Sequence, residues 1–171
     1  MADLRIAKHR TKHPRFLAAL LGSPKSGAEI GVERGTTTQQ LLTAFPNLHI
    51  TAVDPWDIGG MYRYWPMKEN ECEFKTRMKL FPNRVTVLKT DSVSAAGNIL
   101  DGSLDFVFID AQHDYETVLE DIKAWSPKVK DGGFVTGHDY SPNYPGVCSA
   151  VDEMYPHAEV DVFSSVWWVN V

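Results

Sequence analysis

The sequence has few cysteines, no excess of basic residues and no long apolar run, and each shortage excludes a class of protein. Two cysteines in 171 residues cannot form a disulfide framework, and they fit a reducing compartment. No apolar run is long enough to cross a bilayer, and the first residues lack an apolar signal core. We therefore expect a cytoplasmic protein that makes no membrane contact.

The charge balance argues against a nucleic-acid ligand. The formal net charge is −5 and the sequence pI is about 5.6, whereas binding of nucleic acid by counterion release usually needs a basic face. Basic side chains cluster at the N-terminus, where they indicate a solvated segment or, alternatively, a contact for an anionic substrate or partner: Arg5, Lys8, His9, Arg10, Lys12, His13 and Arg15.

Alternating strand and helix patterns predict an α/β fold built on a mainly parallel sheet, as one domain over 1–171. The predicted strands are 28–32, 49–53, 84–89, 104–109, one opening at 134–136 after a turn at 130–133, and a final pair, 158–163 and 166–171. The predicted helices are 37–45, 92–100 (a short helix or a loop), 115–125 and 147–155. The final pair is joined by a tight turn, so we expect a C-terminal β-hairpin.

Two further segments flank this pattern. Residues 1–25 are predicted to contain an N-terminal helix that opens at Pro14 and closes at Gly22. The insert over 55–82 is rich in aromatic residues, which indicates either a small satellite core or a lid over a ligand pocket.

The most informative stretch runs from Ala28 to Thr38. It predicts a buried strand, a glycine-marked turn at Gly31 and Gly35, and a helix start, with Glu29 just before the first glycine. Such a turn lets backbone approach a ligand, and the helix N-terminus offers free N–H groups, so a nucleoside-bearing cofactor fits here. A tight turn without a ligand is the alternative.

Acidic residues follow several predicted strands, and parallel strands end at one edge of a sheet. Asp54 suits a bidentate hydrogen bond to ribose hydroxyls, unless it serves the turn before Pro55. Asp91 and Ser92 could face an adenine amino group, although both are also favoured helix N-caps. Trp56 is the aromatic residue of the insert that we most expect to touch the cofactor.

Asp110 ends the fourth strand, and His138 and Asp139 end the fifth, so neighbouring strand ends bring them together. Two carboxylates and an imidazole at one point indicate a divalent cation such as Mg²⁺ or Mn²⁺. His113 has a pKa near working pH, which suits a general base. Structural roles for both histidines, a helix start for His113 and a supporting hydrogen bond for His138, are the alternatives.

These motifs resemble those of the class I S-adenosylmethionine (SAM)-dependent methyltransferases. The patterns E-I-G-V-x-x-G, F-I-D-x-x-H-x-Y and G-G-x-x-x-x-H/D-D-Y fall at 29–35, 108–115 and 132–140. The resemblance implies a Rossmann-like, seven-stranded mixed sheet in the order 3-2-1-4-5-7-6, with the cofactor across the first three strand ends. It also implies that Glu29 and Gly31 line the methionine part of SAM, that Asp54 holds the ribose and that Asp91 holds the adenine.

Within that class the chain is similar to the metal-dependent O-methyltransferases of the catechol and antibiotic-sugar types. In those enzymes an acid after the fourth strand and an acidic pair after the fifth hold Mg²⁺. Here the set is Asp110, His138 and Asp139, so a histidine replaces one carboxylate. A basic residue three positions after the first acid is also typical of those families, and His113 stands there.

We therefore predict a SAM-dependent methyltransferase that acts on an oxygen of a small hydroxylated metabolite, with divalent-metal assistance. Asp110 and His113 are the predicted catalytic residues. The alternatives are a metal-free methyltransferase, in which Asp110 and Asp139 only position the acceptor, and a SAM- or nucleoside-binding module without turnover. An NAD-type oxidoreductase is disfavoured because the turn lacks G-x-G-x-x-G. A homodimer could supply a missing wall of the acceptor site.

Overall fold

The computed structural model describes residues 21–56 and 67–171. Within them seven strands form one sheet: β1 Ser26–Ile30, β2 His49–Val53, β3 Val85–Leu88, β4 Leu104–Ile109, β5 Val129–Gly137, β6 Glu159–Asp161 and β7 Val166–Asn170. The helices of the same residues are α1 Thr36–Ala44, α2 Met67–Met78, α3 Ser92–Ala96, α4 Tyr115–Trp125 and α5 Pro145–Met154, with a 3₁₀ turn at Ser126–Lys128.

The strand order is β3-β2-β1-β4-β5-β7-β6, and β7 runs antiparallel to both of its neighbours. This confirms the predicted mixed sheet and its C-terminal hairpin. Ile30 is in register with both Val53 and Ile109, and Ile109 is in register with Gly137. The chain therefore leaves β1, β2, β4 and β5 side by side, and the residues that follow them meet at one edge.

Both faces of the sheet are covered, which explains the nearly continuous apolar runs in its central strands. On one face Ala28 and Val107 join a core with Ile122 and Trp125 of α4. On the other face Phe106 and Phe108 pack with apolar residues of α1 and β2, namely Leu41, Leu42 and Ile50.

Helix α4 illustrates how local sequence fixes an element that carries the site. The Asp114 carboxylate accepts a hydrogen bond from the backbone N–H of Thr117 at 3.0 Å and so caps the helix. Val118, Ile122 and Trp125 follow at helical spacing and are buried. The cap places the segment that precedes it, including His113, beside the end of β4.

Some predicted boundaries were wrong. β1 ends at Ile30 and not at Val32, because Gly31, with a φ of +85°, turns the chain out of the sheet. β5 begins at Val129, and the predicted turn at 130–133 is a bulge inside that strand. The pairs Leu104–Val129 and Phe106–Phe134 leave extra residues on β5, and Gly132, with a φ of +78°, allows the bend.

Parts of two predicted segments lie outside the described residues. They are the helix and basic cluster within 1–20 and the stretch 57–66 of the aromatic insert, which holds Tyr62, Tyr64 and Trp65. Across 21–56 and 67–171, each helix is too short or too polar to cross a membrane.

Candidate functional site

The turn after β1 needs glycine at both marked positions. Gly31 and Gly35 have φ values of +85° and +73°. A Cβ atom on Gly31 would lie 2.1 Å from the carbonyl oxygen of Asp110, and one on Gly35 would lie 2.6 Å from the Phe74 ring. The backbone N–H of Gly31 also donates to the carbonyl of Val53 at 2.9 Å. The turn is thus drawn tightly against the ends of β2 and β4.

Asp54 and Trp56 support this turn. The Asp54 carboxylate accepts hydrogen bonds from the backbone N–H groups of Glu33 at 2.9 Å and Trp56 at 2.7 Å. Burial raises the pKa of Asp54, and these hydrogen bonds oppose that rise. The Trp56 indole donates to the Glu33 carbonyl at 2.9 Å, and its buried ring packs 5.1 Å from the Phe74 ring. Contacts of Asp54 and Trp56 with a cofactor stay predictions.

Glu29 lies beneath the turn and is only 2% exposed. Its carboxyl group accepts a hydrogen bond from the Thr38 hydroxyl at 2.5 Å. Burial raises the pKa of Glu29 to about 8, and the carboxylates of Asp110 and Asp54 add to the rise. Glu29 is therefore mostly protonated at neutral pH and can donate a hydrogen bond as well as accept one.

Asp91 and Ser92 both have protein partners where α3 begins. Asp91 accepts from the backbone N–H of Ser94 at 2.8 Å as the N-cap, and this bond lowers the pKa of Asp91. The Ser92 hydroxyl accepts from the Trp125 indole at 2.9 Å. These hydrogen bonds do not test the predicted contacts of Asp91 and Ser92 with adenine. Those contacts stay predictions.

Four titratable side chains meet where β4 and β5 end. His113 Nε2 lies 2.7 Å from Asp139 Oδ2, and His138 Nδ1 lies 3.1 Å from Asp139 Oδ1. His138 Nδ1 is also 3.7 Å from Asp110 Oδ1. The backbone of Asp139 has a φ of +61°, a strained conformation that turns its carboxylate between the two imidazoles.

The charges of this cluster compensate one another. Burial opposes ionisation of Asp139, but hydrogen bonds from His113 and His138 outweigh it and hold the pKa of Asp139 well below its usual range. The hydrogen bond with Asp139 in turn raises the pKa of His113. Burial lowers the pKa of His138, yet the hydrogen bond with Asp139 and the charge of Asp110 raise it overall.

Asp110 differs from Asp139 because weaker interactions oppose the rise that burial causes in its pKa. Burial raises the pKa of Asp110 to about 6, and the nearby charge of His138 only partly opposes the rise. A pocket opens beside this carboxyl group, and its lining includes Ile109, Asp110, Ala111, Gln112, His113, Val118, His138, Val147 and Trp167. The pocket has room for about one water molecule, and one carboxyl group and two imidazoles stand at its mouth.

His113 is placed to exchange a proton with a molecule bound at this mouth. Its ring stacks on Tyr144, with 4.3 Å between the ring centroids, and its side chain is 40% exposed. One ring nitrogen is held by Asp139, which fixes the orientation of the imidazole. The His–Asp arrangement is that of an oriented general base.

The same side chains could hold a divalent cation. Asp110, His113 and Asp139 offer ligand atoms that all lie within 4.8 Å of one another. The structure thus groups His113, the predicted base, with the two carboxylates, while His138, the predicted ligand, lies 3.1 Å from Asp139 and 3.7 Å from Asp110. Two carboxylate oxygens with an imidazole nitrogen suit Mn²⁺ or Fe²⁺ better than Mg²⁺.

Sequence reasoning missed three residues that shape this edge. Thr38 was recognisable only as part of a Thr-rich helix start, and Tyr144 only as an aromatic residue before Pro145. Asn70, which hydrogen bonds to Arg34 and Glu33, carries no motif at all. Their importance arises from contacts between elements distant in sequence.

Comparisons with known proteins agree with this geometry. A family model described as a methyltransferase domain matches residues 28–140. The fold is similar to that of the O-methyltransferase NovP, at 19% identity over 94% of this chain and 78% of that one, with a TM-score of 0.69. No curated protein matches the sequence.

Two further solved structures show the same fold. A cofactor-bound protein from MTB is 18% identical over 96% of this chain and 80% of that one, with a TM-score of 0.67. A SAM-dependent O-methyltransferase from Thermotoga maritima is 16% identical over 90% of this chain and 52% of that one, with a TM-score of 0.62.

Proposed function

Because this chain belongs to the methyltransferase-domain family and is a SAM-dependent methyltransferase, we propose that it methylates an oxygen atom of a small hydroxylated acceptor. The acceptor would lie beside Asp110, at the mouth of the small pocket where β4 and β5 end. The observation that carries this proposal is the contact of 2.7 Å between His113 Nε2 and Asp139 Oδ2 at the edge of that pocket.

An oxygen acceptor explains why a base is needed. A hydroxyl group is a weak nucleophile until its proton is removed, and His113 takes that proton in the proposed reaction. Asp139 orients the imidazole and stabilises the imidazolium that forms, because its carboxylate stays ionised. Stacking on Tyr144 restricts the rotation of the ring.

The turn after β1 and the neighbouring strand ends fit SAM, which supplies an electrophilic methyl group on a sulfonium. Gly31 and Gly35 leave two close-packed positions of the turn without a Cβ atom, and the acidic groups of Glu29, Asp54 and Asp110 lie near it. The carboxylates of Asp54 and Asp110 suit a ligand that carries a cationic sulfonium and an ammonium group, and the protonated Glu29 can donate a hydrogen bond to it. The proposed cofactor-binding residues are Glu29, Gly31, Gly35, Asp54, Trp56, Asp91, Ser92 and Asp110.

We further propose that a divalent metal ion assists the reaction. Asp110, Asp139 and His138 would hold the ion, which would lower the pKa of the acceptor hydroxyl when bound. The fit rests on His138 Nδ1, which lies 3.1 Å from Asp139 Oδ1 and 3.7 Å from Asp110 Oδ1. His113 keeps its task as base in this arrangement. A metal-free enzyme, in which the imidazoles balance both carboxylates, is the rival proposal that the charges of the cluster also support.

Transfer of a labelled methyl group tests the proposal. The protein would be incubated with [methyl-¹³C]SAM and a panel of small diols that includes catechol, with Mn²⁺, with Mg²⁺ and with EDTA. We expect a methyl ether to form, a large loss of rate with EDTA, and a loss in the variant His113→Gln. A rate that EDTA leaves unchanged would favour the metal-free enzyme, and an unchanged rate in His113→Gln would remove His113 as the base.

Cofactor binding can be tested without knowledge of the acceptor. S-adenosylhomocysteine, the demethylated product, should bind to one site per chain in calorimetry. Absence of binding by both SAM and S-adenosylhomocysteine would contradict the proposal. A cytoplasmic location and a homodimer stay predictions from the sequence.

A further inference from the structure

A hydrogen-bonded bridge connects helix α2 to the turn after β1. Asn70, in the first turn of α2, is 0% exposed although its side chain is polar. Its oxygen accepts a hydrogen bond from Arg34 Nε at 2.8 Å, and its nitrogen donates to Glu33 Oε1 at 3.2 Å. One buried amide therefore holds two consecutive residues of the turn.

Glu33 is the residue that most needs such support. Its φ of +48° is unfavourable for any residue with a Cβ atom. Its N–H donates to Asp54, its carbonyl accepts from the Trp56 indole, and its carboxylate accepts from Asn70 and lies 3.7 Å from Arg34 Nε. The first two contacts come from the end of β2. Asn70 ties the turn to α2 at hydrogen-bond distance, beside the longer ion pair of Arg34 with Glu73 at 3.8 Å.

We propose that Asn70 is a positioning residue, which keeps the turn in its cofactor-binding shape before the cofactor arrives. The inference rests on the proposed function, in which this turn binds SAM. A ligand binds more weakly when only a fraction of the protein has the competent conformation, so a pre-formed turn raises affinity. Asn70 acts through Glu33 and Arg34, and it makes α2 part of the cofactor site without a contact of its own.

The pattern of donors and acceptors explains why an amide is needed. An aspartate at position 70 would still accept from Arg34 but would set a second carboxylate against Glu33. Replacing Glu33 by glutamine as well would supply a new N–H donor for that carboxylate. The double variant therefore restores both hydrogen bonds. Residue 70 still accepts from Arg34, and in the other bond residue 33 now donates to residue 70. The side-chain volumes are nearly unchanged.

The test is a double-mutant cycle read by binding of S-adenosylhomocysteine, at a temperature well below unfolding of every variant. Asn70→Asp should weaken binding about tenfold, because opposed carboxylates displace the turn. Glu33→Gln alone should change affinity little, since its amide oxygen still accepts from Asn70. The double variant Asn70→Asp/Glu33→Gln should return to the affinity of Glu33→Gln.

A second readout needs no ligand. Hydrogen exchange of a peptide covering 31–36 in the cofactor-free protein should be faster in Asn70→Asp and slow again in the double variant. Arg84→Met is the control, because Arg84 donates to the carbonyl oxygens of Leu42, Phe45 and Leu48, which lie at or beyond the end of α1 that is far from the turn. It should lower the unfolding temperature but leave the affinity and the exchange of 31–36 unchanged.

Two results would overturn the inference alone: wild-type affinity in Asn70→Asp, or a double variant that binds as weakly as Asn70→Asp. Failure of the wild-type protein to bind S-adenosylhomocysteine would instead overturn the proposed function and the inference with it.

Discussion

The Thr38 hydroxyl donates a hydrogen bond to the carboxyl group of Glu29 at 2.5 Å, inside the protein and beneath the turn that follows β1. This contact joins the first turn of α1 to the middle of the sheet. It also marks a group whose protonation differs between the folded and the unfolded protein, because burial raises the pKa of Glu29 to about 8.

The first prediction concerns stability and pH. The folded protein keeps the proton on Glu29 at pH values where the unfolded chain, with a pKa near 4.5, has lost it. The free energy of unfolding therefore falls as pH rises from about 4.5 through 8. Urea unfolding at pH 5, 7 and 9 should show a fall that is smaller in Glu29→Gln by a few kcal/mol, at ~1.4 kcal/mol per pKa unit.

Glu69→Gln is the control for this prediction, since Glu69 is an exposed glutamate of α2. Titratable groups without an interaction with Glu29 contribute equally to wild type and variant. A parallel pH dependence in wild type and Glu29→Gln would show that Glu29 is ionised in the folded protein.

The second prediction separates two reasons for glycine at position 31: its positive φ and the lack of space for a Cβ atom. Gly31→Ala would suffer from its positive φ and from the approach of its Cβ to the Asp110 carbonyl, whereas Gly102→Ala, at a φ of +65°, meets open space. Gly102→Ala should cost about 1 kcal/mol of stability. Gly31→Ala should cost clearly more and should abolish binding of S-adenosylhomocysteine in calorimetry. Equal costs with intact binding would show that the turn can shift without consequence.

The third prediction concerns the ionisation of His113. The hydrogen bond with Asp139 raises the pKa of His113, so Asp139→Asn should lower it toward 6.5. The neutral imidazole is the base, so the rise of kcat/KM with pH should move to lower pH while the plateau falls. NMR titration of the His113 ring in metal-free buffer measures the same shift directly. Asp131→Asn, at an exposed position of the β5 bulge, should leave the titration unchanged.

The fourth prediction concerns Arg84, which stabilises the connection between α1 and β2. Its guanidinium donates to the carbonyl oxygens of Leu42, Phe45 and Leu48 at 2.6–3.0 Å, where α1 has just ended. Arg84→Met should lower the free energy of unfolding by about 2 kcal/mol, because these carbonyls lose a charged donor. Lys75→Met, on the exposed face of α2, should change it by less than about 0.5 kcal/mol. A similar loss in both variants would contradict this role.

The sheet could be predicted because its signals are local. β2, β4 and α4 begin and end where the patterns of apolar, capping and β-branched residues placed them. The ends of β1 and the start of β5 could not be placed, since they depend on positive φ values at Gly31 and Gly132. Whether a glycine ends a strand or only bends it is decided by the neighbouring strand.

The site was predictable as a list of side chains but not as a set of contacts. Motif positions correctly brought Asp110, His113, His138 and Asp139 to one edge of the sheet. The sequence did not show that Trp56 is buried against Phe74, and it gave the Asp91 N-cap of α3 only as an alternative to an adenine contact. It gave no sign of Asn70, because a buried amide that bridges two charged residues has the sequence appearance of any surface asparagine.

The most direct test of the account is the fate of a ¹³C-labelled methyl group in the presence of catechol and SAM, followed by NMR. We expect the wild-type protein to form a methyl ether and His113→Gln to form much less of it, while both proteins bind S-adenosylhomocysteine equally. A methyl group on a ring carbon, or a methyl ether that forms at the same rate with His113→Gln, would contradict the account.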